Sequence, residues 1–193
     1  MKLKQLVLLL LFHKLTFAQF YQASKIVNVQ RLNIENLQQH TIYSIDKNEL
    51  VNLITNSSTE YNLVVSFATW CSPCRKALPK LLQFINENNH IISLYLVNIE
   101  NNNSSELFET KTYLEDLGYI KPTFTISETY GKGTRSRYKK FITDIIGKKN
   151  FSNLYLGLFQ NILLTKNFKI IYKSTYNDIN TVTIDNIKKI INE

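Results

Sequence analysis

Cys71 and Cys74 are the most reactive side chains of this sequence, and they stand one helical turn apart. They are the only cysteines among 193 residues, and the motif Trp70-Cys71-Ser72-Pro73-Cys74 directly follows an apolar run, Leu63 to Ala68. A Cys-x-x-Cys pair at the start of a helix lets the first sulfur attack a disulfide as a thiolate, and lets the second sulfur attack the mixed disulfide that forms. The motif therefore predicts thiol-disulfide exchange.

Other roles of the pair are less consistent with the sequence. A structural disulfide here would close a very short loop, and short loops gain least from cross-linking. A zinc site needs about two more Cys or His ligands, but none of the three histidines, His13, His40 and His90, lies at ligand spacing from the pair. Copper carriers also use paired cysteines, usually together with a His, and no suitable His can be identified in this chain. We expect neither a metal nor an organic cofactor, and an inactive cysteine pair remains the other alternative.

Residues 1–18 have the features of a secretory signal peptide. Lys2 and Lys4 precede an apolar stretch, Leu6 to Phe12, and Thr16-Phe17-Ala18 ends in a small residue at the expected cleavage position. The apolar stretch is far shorter than the roughly 20 residues that span a bilayer. We therefore expect an exported protein, periplasmic or extracellular, with an uncleaved N-terminal anchor as the alternative.

The 175 residues after the signal are enough for one domain with a sizeable core, because 44% of the chain is hydrophobic. We divide them into an N-terminal extension, 19–45, and a domain, 46–193. The formal charge of +8 falls to +5 when the signal is removed. Without a concentrated patch, this charge is too small to indicate nucleic acid binding.

The hydrophobic pattern of residues 46–193 predicts alternating helices and strands. Asp46-Lys47-Asn48-Glu49 has the form of a capping box and begins the first helix. The later predicted elements are strands over 61–68, 91–99 and 124–126, helices over 72–87 and 104–117, a hairpin of 161–164 with 169–172, and a closing helix around Ile184, Ile187, Ile190 and Ile191. This order predicts an α/β fold in which helices cover a mixed sheet.

The segment from Val64 to Leu81 resembles the active-site region of the thioredoxin fold, and more closely that of the exported TlpA/ResA-like thiol:disulfide oxidoreductases. Its sequence is VVSFATWCSPCRKALPKL, and the likeness extends from about Asp46 to Ile191. Pro79 lies where the family has a helix kink. Pro122-Thr123 matches the family's cis-proline loop, which packs opposite the cysteines and binds the substrate backbone. Cis peptide bonds are essentially a proline feature, so the match is chemically consistent.

The resemblance implies a role for each residue of the site. Cys71 would be the attacking thiol and Cys74 the resolving thiol, and Trp70 would shield the pair. Lys121, which precedes the proposed cis-proline, would face the two sulfurs across the groove. The substrate-binding residues that the resemblance implies are Trp70, Lys121, Pro122 and Thr123. The implied activity is reduction of disulfides in protein partners, with electrons from an unidentified donor. Oxidation of partner thiols is the alternative direction, because an exported dithiol must be re-reduced by a dedicated donor or else act as an oxidant.

The chain departs from the family pattern in two places. Family members often have a buried carboxylate beneath the cysteines that moves the proton of the resolving thiol, whereas Val65 and Ala77 occupy the usual positions here. About thirty residues, 128–157, also separate the proposed cis-proline strand from the hairpin that normally follows closely. We expect this insertion to form a helix with apolar positions at Tyr138, Phe141, Ile142, Ile145 and Ile146, ended by Gly147.

The insertion is strongly basic. Residues 128–149 contain seven Lys or Arg against Glu128 and Asp144, a net charge of +5. The helix would dock on the sheet with a solvated basic face, or residues 132–149 would contact an acidic protein or membrane headgroups. An alternative function follows, a non-catalytic thioredoxin-fold module that recruits a partner through the insertion. Peroxide reduction is less consistent, because it needs a peroxidatic cysteine in a pocket of its own.

Overall fold

The computed structural model describes residues 29–102, 105–148, 158–175, 178 and 181–192. The predicted signal peptide and the first part of the N-terminal extension lie outside these residues. In the part that is described, no helix is both long enough and apolar enough to cross a membrane.

The described residues form seven strands and five α-helices, and those from Lys47 onwards follow the predicted order. The strands are β1 (Gln30–Arg31), β2 (Ile42–Ile45), β3 (Tyr61–Phe67), β4 (Ile92–Asn98), β5 (Thr123–Ile126), β6 (Asn161–Thr165) and β7 (Ile170–Lys173). The helices are α1 (Lys47–Thr55), α2 (Ser72–Glu87), α3 (Ser105–Asp116), α4 (Thr134–Ile146) and α5 (Thr181–Ile191). The predicted bounds of α2 are confirmed, and the hairpin of β6 and β7 is present.

Local sequence signals set several helix ends. The Asp46 side chain accepts a hydrogen bond from the Glu49 N–H at 2.9 Å, and the Asp46 N–H donates to Glu49 Oε2 at 2.8 Å, so the predicted capping box is confirmed. Gly147 follows α4 with a φ of +82°. A residue without a Cβ is favoured there because this φ lies in the left-handed region.

The sheet is mixed, and its strand order is β1-β2-β5-β4-β3-β6-β7. Strands β1 to β5 are mutually parallel, whereas β6 runs antiparallel to β3 and pairs antiparallel with β7. The carboxyl ends of the parallel strands therefore meet at one edge of the sheet, which we call the carboxyl edge. The motif with both cysteines follows β3 at this edge.

Helix α4 packs one face into the core of the fold. Its predicted apolar positions, Tyr138, Phe141, Ile142, Ile145 and Ile146, are all buried. The helix is therefore confirmed, but its assignment to an insertion is not. Strand β6 lies three positions from β5 in the sheet, so the chain cannot join them by the short turn that suits adjacent antiparallel strands and must cross the sheet instead. Residues 149–157 of the predicted insertion lie outside the described part of the chain.

Candidate active site

Cys71 and Cys74 form a disulfide at the start of α2, with their sulfurs 2.02 Å apart. Only 7% of Cys71 and 1% of Cys74 is exposed, so the second cysteine is the more deeply buried of the two. A partner that approaches the carboxyl edge from solvent would meet Cys71 first. This difference agrees with the roles that the resemblance implies, an attacking Cys71 and a resolving Cys74.

Cys71 is the N-cap residue of α2. Its Sγ accepts a hydrogen bond from the backbone N–H of Cys74 at 3.3 Å. The N–H groups of a first helical turn lack partners within the helix, and the helix dipole places partial positive charge there. Once the disulfide is reduced, this position stabilises a thiolate on Cys71.

We expect the pKa of the Cys71 thiol to lie below the ordinary value of about 8.5 and below that of Cys74, because only Cys71 caps the helix. The rate of iodoacetamide alkylation against pH, measured on Cys74→Ser and Cys71→Ser, reports the pKa of each remaining thiol. At pH 6 the Cys71 thiol should react faster. Faster labelling of Cys74 at that pH would reverse the two roles.

Trp70 is an exposed aromatic residue beside the disulfide. Its side chain is 55% exposed, although large apolar side chains are commonly buried, and it immediately precedes Cys71. Exposed tryptophan next to a reactive centre is typical of a contact surface for a partner. Whether Trp70 shields the sulfurs stays a prediction.

The predicted cis-proline is not present. The described residues contain no cis peptide bond, so the Lys121–Pro122 bond is trans and the prediction is wrong. The trans isomer is favoured by about 0.5–1 kcal/mol before any proline, and a cis bond persists only where the surrounding turn requires it.

Lys121, Pro122 and Thr123 lie away from the cysteines. The N–H of Thr123 donates to the Thr41 carbonyl at 3.0 Å, which places this segment at the amino ends of β5 and β2. Phe124 is in register with Val97, and Val97 with Ser66.

From this register, Lys121 lies about two strand spacings, roughly 10 Å, to the side of β3 and about 13 Å back from its carboxyl end. The predicted position of Lys121, Pro122 and Thr123 opposite the sulfurs is therefore wrong. The antiparallel neighbour of β3 is β6, whereas β5 is a parallel strand between β2 and β4.

The segment that reaches the end of β3 is Leu158-Phe159-Gln160, which directly precedes β6. The Ser66 N–H donates to the Gln160 carbonyl at 2.9 Å, and the Gln160 N–H donates to Ser66 Oγ at 3.3 Å. Ser66 also shares a hydrogen bond of 2.8 Å with the hydroxyl of buried Tyr138, whose pKa is raised by burial. This segment was not among the site residues predicted from the sequence, although the predicted hairpin was the signal that could have indicated it.

Glu100 is a second residue that the sequence analysis missed. It lies at the carboxyl edge after β4, its side chain is completely buried, and its carboxylate accepts hydrogen bonds from both the backbone and the side chain of Thr69. Val65 and Ala77 are buried apolar side chains, as expected. The sequence did contain a signal for Glu100, because this acidic residue directly follows the apolar strand predicted over 91–99. The carboxyl end of a strand in a parallel sheet lies beside the carboxyl ends of its neighbours, and one of these neighbours leads into the cysteines.

Comparison with solved structures finds similarity to several bacterial proteins. The thioredoxin domain of a thiol-disulfide oxidoreductase from Bacteroides vulgatus is 18% identical, with 83% of this chain and 99% of that chain covered and a TM-score of 0.48. StoA from Bacillus subtilis is 14% identical, with 69% and 84% covered and a TM-score of 0.45. A thiol:disulfide interchange protein from Chlorobium tepidum is 15% identical, with 67% and 80% covered and a TM-score of 0.45. At these values the similarity identifies neither a substrate nor a partner.

The sequence itself gives the family. No curated protein matches it. The profile of the family described as Thioredoxin matches residues 41–142, which is more than half of the chain. This range contains the parallel strands β2, β3, β4 and β5 and the Cys-x-x-Cys motif at the start of α2. The chain therefore belongs to the thioredoxin family.

Proposed function

We propose that this protein is an exported thiol-disulfide oxidoreductase that reduces disulfides in protein partners, similar to the TlpA/ResA-like members of its family. The observation that carries the proposal is the position of Cys71. Its sulfur caps α2, is bonded to the more deeply buried Cys74, and stands beside an exposed aromatic side chain. The predicted signal peptide supports export, and the predicted division into extension and domain is retained in the proposal.

The reaction begins with the reduced protein. The Cys71 thiolate attacks one sulfur of the partner's disulfide, a mixed disulfide forms, and the partner's other sulfur leaves as a thiolate. Cys74, after losing its proton, attacks Cys71 Sγ and displaces the second partner thiolate. The partner leaves as a dithiol with two electrons gained, and the protein is left with the Cys71–Cys74 disulfide. A separate dithiol donor then returns two electrons.

The outer face of α4 supports a further part of the proposal, contact with acidic partners. Lys47, Lys139, Lys140 and Lys148 line a cavity of about 640 Å³ together with Tyr130 and Asp144. The Asp144 carboxylate accepts from the Tyr130 hydroxyl at 2.7 Å and lies 3.6 Å from Lys47 Nζ, so it offsets part of the positive charge around the cavity. We propose that residues 132–149 attract acidic protein segments, and such attraction weakens with salt. Membrane headgroups are the alternative partner.

The experiment that tests the function is covalent trapping. Cys74→Ser, expressed in the native cell, cannot resolve the mixed disulfide, so its partners should remain attached to Cys71 and separate on addition of dithiothreitol. The matched control is the double variant Cys71→Ser/Cys74→Ser. Partners held equally by both variants would instead support the non-catalytic binding module, because they would be bound without a sulfur bond.

A further inference from the structure

Glu100 is the centre of a buried polar cluster at the carboxyl edge. Its Oε1 accepts hydrogen bonds from the Thr69 N–H at 2.8 Å and from Thr69 Oγ1 at 2.7 Å. Its Oε2 accepts from Asn98 Nδ2 at 3.0 Å and from Thr110 Oγ1 at 2.7 Å. All four side chains are buried. The cluster thus joins β4 and α3 to the loop that leads into the cysteines.

The four partners fit an ionised carboxylate. Each of them donates, and a carboxylate accepts on both oxygens. The Asn98 amide cannot simply turn over, because its Oδ1 accepts from the Glu100 N–H at 2.7 Å. A glutamine at position 100 would place its own NH₂ group against the NH₂ group of Asn98 or, with the amide turned over, against the N–H of Thr69. Charge-assisted hydrogen bonds are about twice as strong as neutral ones, so the carboxylate holds Thr69 more firmly than an amide would.

The backbone of Glu100 is fixed from the opposite side. The buried guanidinium of Arg137 donates through Nη2 to the carbonyl oxygens of Ile99 and Glu100. Burial lowers the pKa of this guanidinium, an effect that the nearby charge of Glu128 opposes. Thr125 Oγ1 from β5 donates to Asn102 Oδ1 at 3.0 Å and to the Glu100 carbonyl at 3.4 Å. Glu100 is therefore held by α4 and β5 and is a rigid support for whatever its carboxylate binds.

The Glu100 carboxylate binds the turn that carries Cys71. Thr69 lies two residues before the cysteine, and the Cys71 N–H donates to the Ala68 carbonyl at 3.2 Å, which closes the turn. The cap between Cys71 Sγ and the Cys74 N–H depends on the course of this turn. The Glu100 carboxylate accepts from both the N–H and the hydroxyl of Thr69, so it holds the backbone and the side chain of this turn together.

We propose that Glu100 is a positioning residue for the nucleophile, and that it holds Thr69 so that Cys71 Sγ caps α2. The inference rests on the proposed thiol-disulfide exchange and adds to it the residue that fixes the attacking sulfur. Glu100 acts through Thr69 and takes no part in the transfer of electrons. Loss of either side of the contact loosens the cap and makes the thiolate less stable.

The first test changes Thr69, which leaves the charge of Glu100 in place. In the Cys74→Ser background, Thr69→Val removes the hydroxyl donor, and Thr69→Ser retains it. Alkylation of Cys71 at pH 6 should be at least about threefold slower in Thr69→Val than in Thr69→Ser, which corresponds to a rise of about 0.5 in the thiol pKa. Equal rates in the two variants, with both folded by circular dichroism, would overturn the proposal.

The second test separates positioning from charge. Glu100→Gln removes a negative charge near the site, which by electrostatics alone would lower the pKa of the Cys71 thiol. Positioning predicts the opposite, a higher pKa and slower alkylation at pH 6. The matched control is Glu109→Gln on the exposed face of α3, which should leave the rate unchanged. A lower pKa of the Cys71 thiol in Glu100→Gln would contradict the proposal. An unchanged pKa would contradict it too, even if the variant were less stable, because Glu100 would then support the fold and not the position of Cys71.

The readout also distinguishes this inference from the proposed function. The thiol pKa and the reduction potential of the pair are measurable against glutathione without any partner. In the protein with both cysteines, at a pH well above the pKa of the Cys71 thiol, Thr69→Val should shift the equilibrium with glutathione about threefold toward the disulfide, about 14 mV more negative. If the unmodified protein reduces no protein disulfide while this shift is present, the proposed function fails and the positioning role stands. If it reduces disulfides and the shift is absent, the positioning role fails alone.

Discussion

Cys71→Ser is expected to abolish disulfide reduction, whereas Cys74→Ser is expected to stop it after the first half-reaction. Cys71 is the more accessible sulfur and caps α2, so without it no thiolate attacks the partner. We expect its loss to lower turnover of a peptide disulfide at least about a thousandfold, because a nucleophile has no substitute. Cys74→Ser should form one mixed disulfide per molecule and then stall. Peptide turnover with dithiothreitol as the donor measures the first outcome, and mass spectrometry of the pre-reduced Cys74→Ser protein after removal of dithiothreitol measures the second.

A variant elsewhere on α2 controls for damage to the helix. Lys80→Ala changes an exposed side chain, and it should turn over at the rate of the unmodified protein. If both cysteine variants lose activity and Cys74→Ser forms no adduct, then Cys71 is not the attacking sulfur. An adduct on Cys71→Ser, through Cys74, would reverse the order of the two residues.

Features with a local cause could be predicted from the sequence. The capping box at Asp46, the stop of α4 at Gly147 and the bounds of α2 each depend on residues within a few positions of one another. The chemistry of the Cys-x-x-Cys motif is equally local, because one helical turn brings its two sulfurs into contact. The apolar face of α4 was also correctly predicted, since its period follows from the helix itself.

Features that depend on strand order could not be predicted in this way. The sequence from Thr123 to Ile126 is compatible with a strand beside β3 or with one between β2 and β4, and only long-range pairing decides. Because β5 lies between β2 and β4, Lys121 and Pro122 lie at its amino end, opposite the carboxyl edge. Gln160 is the residue that contacts Ser66. Glu100 was missed for the same reason, because its partner Thr69 is 31 residues away on a neighbouring strand's end.

Phe141→Ala is expected to lower the free energy of unfolding by about 3–5 kcal/mol, the usual cost of removing a buried Phe side chain. Phe141 is completely buried in the core, and its ring meets that of Tyr130 edge to face at 5.6 Å between centroids. The loss would therefore include the aromatic contact as well as the buried area. Urea unfolding followed by circular dichroism measures the change.

The size of this loss distinguishes a core helix from an appended one. If α4 is a connection built into the core, its inner face is part of the cooperative unit, and Phe141→Ala destabilises the whole domain in one transition. Arg135→Ala on the exposed face of the same helix should change the free energy of unfolding by no more than about 0.5 kcal/mol. A change of under about 1 kcal/mol for Phe141→Ala would show that α4 folds apart from the sheet, as an inserted basic helix would. Arg137 donates from this helix to the backbone of Glu100, so a separate α4 would also leave the positioning of Cys71 without its support.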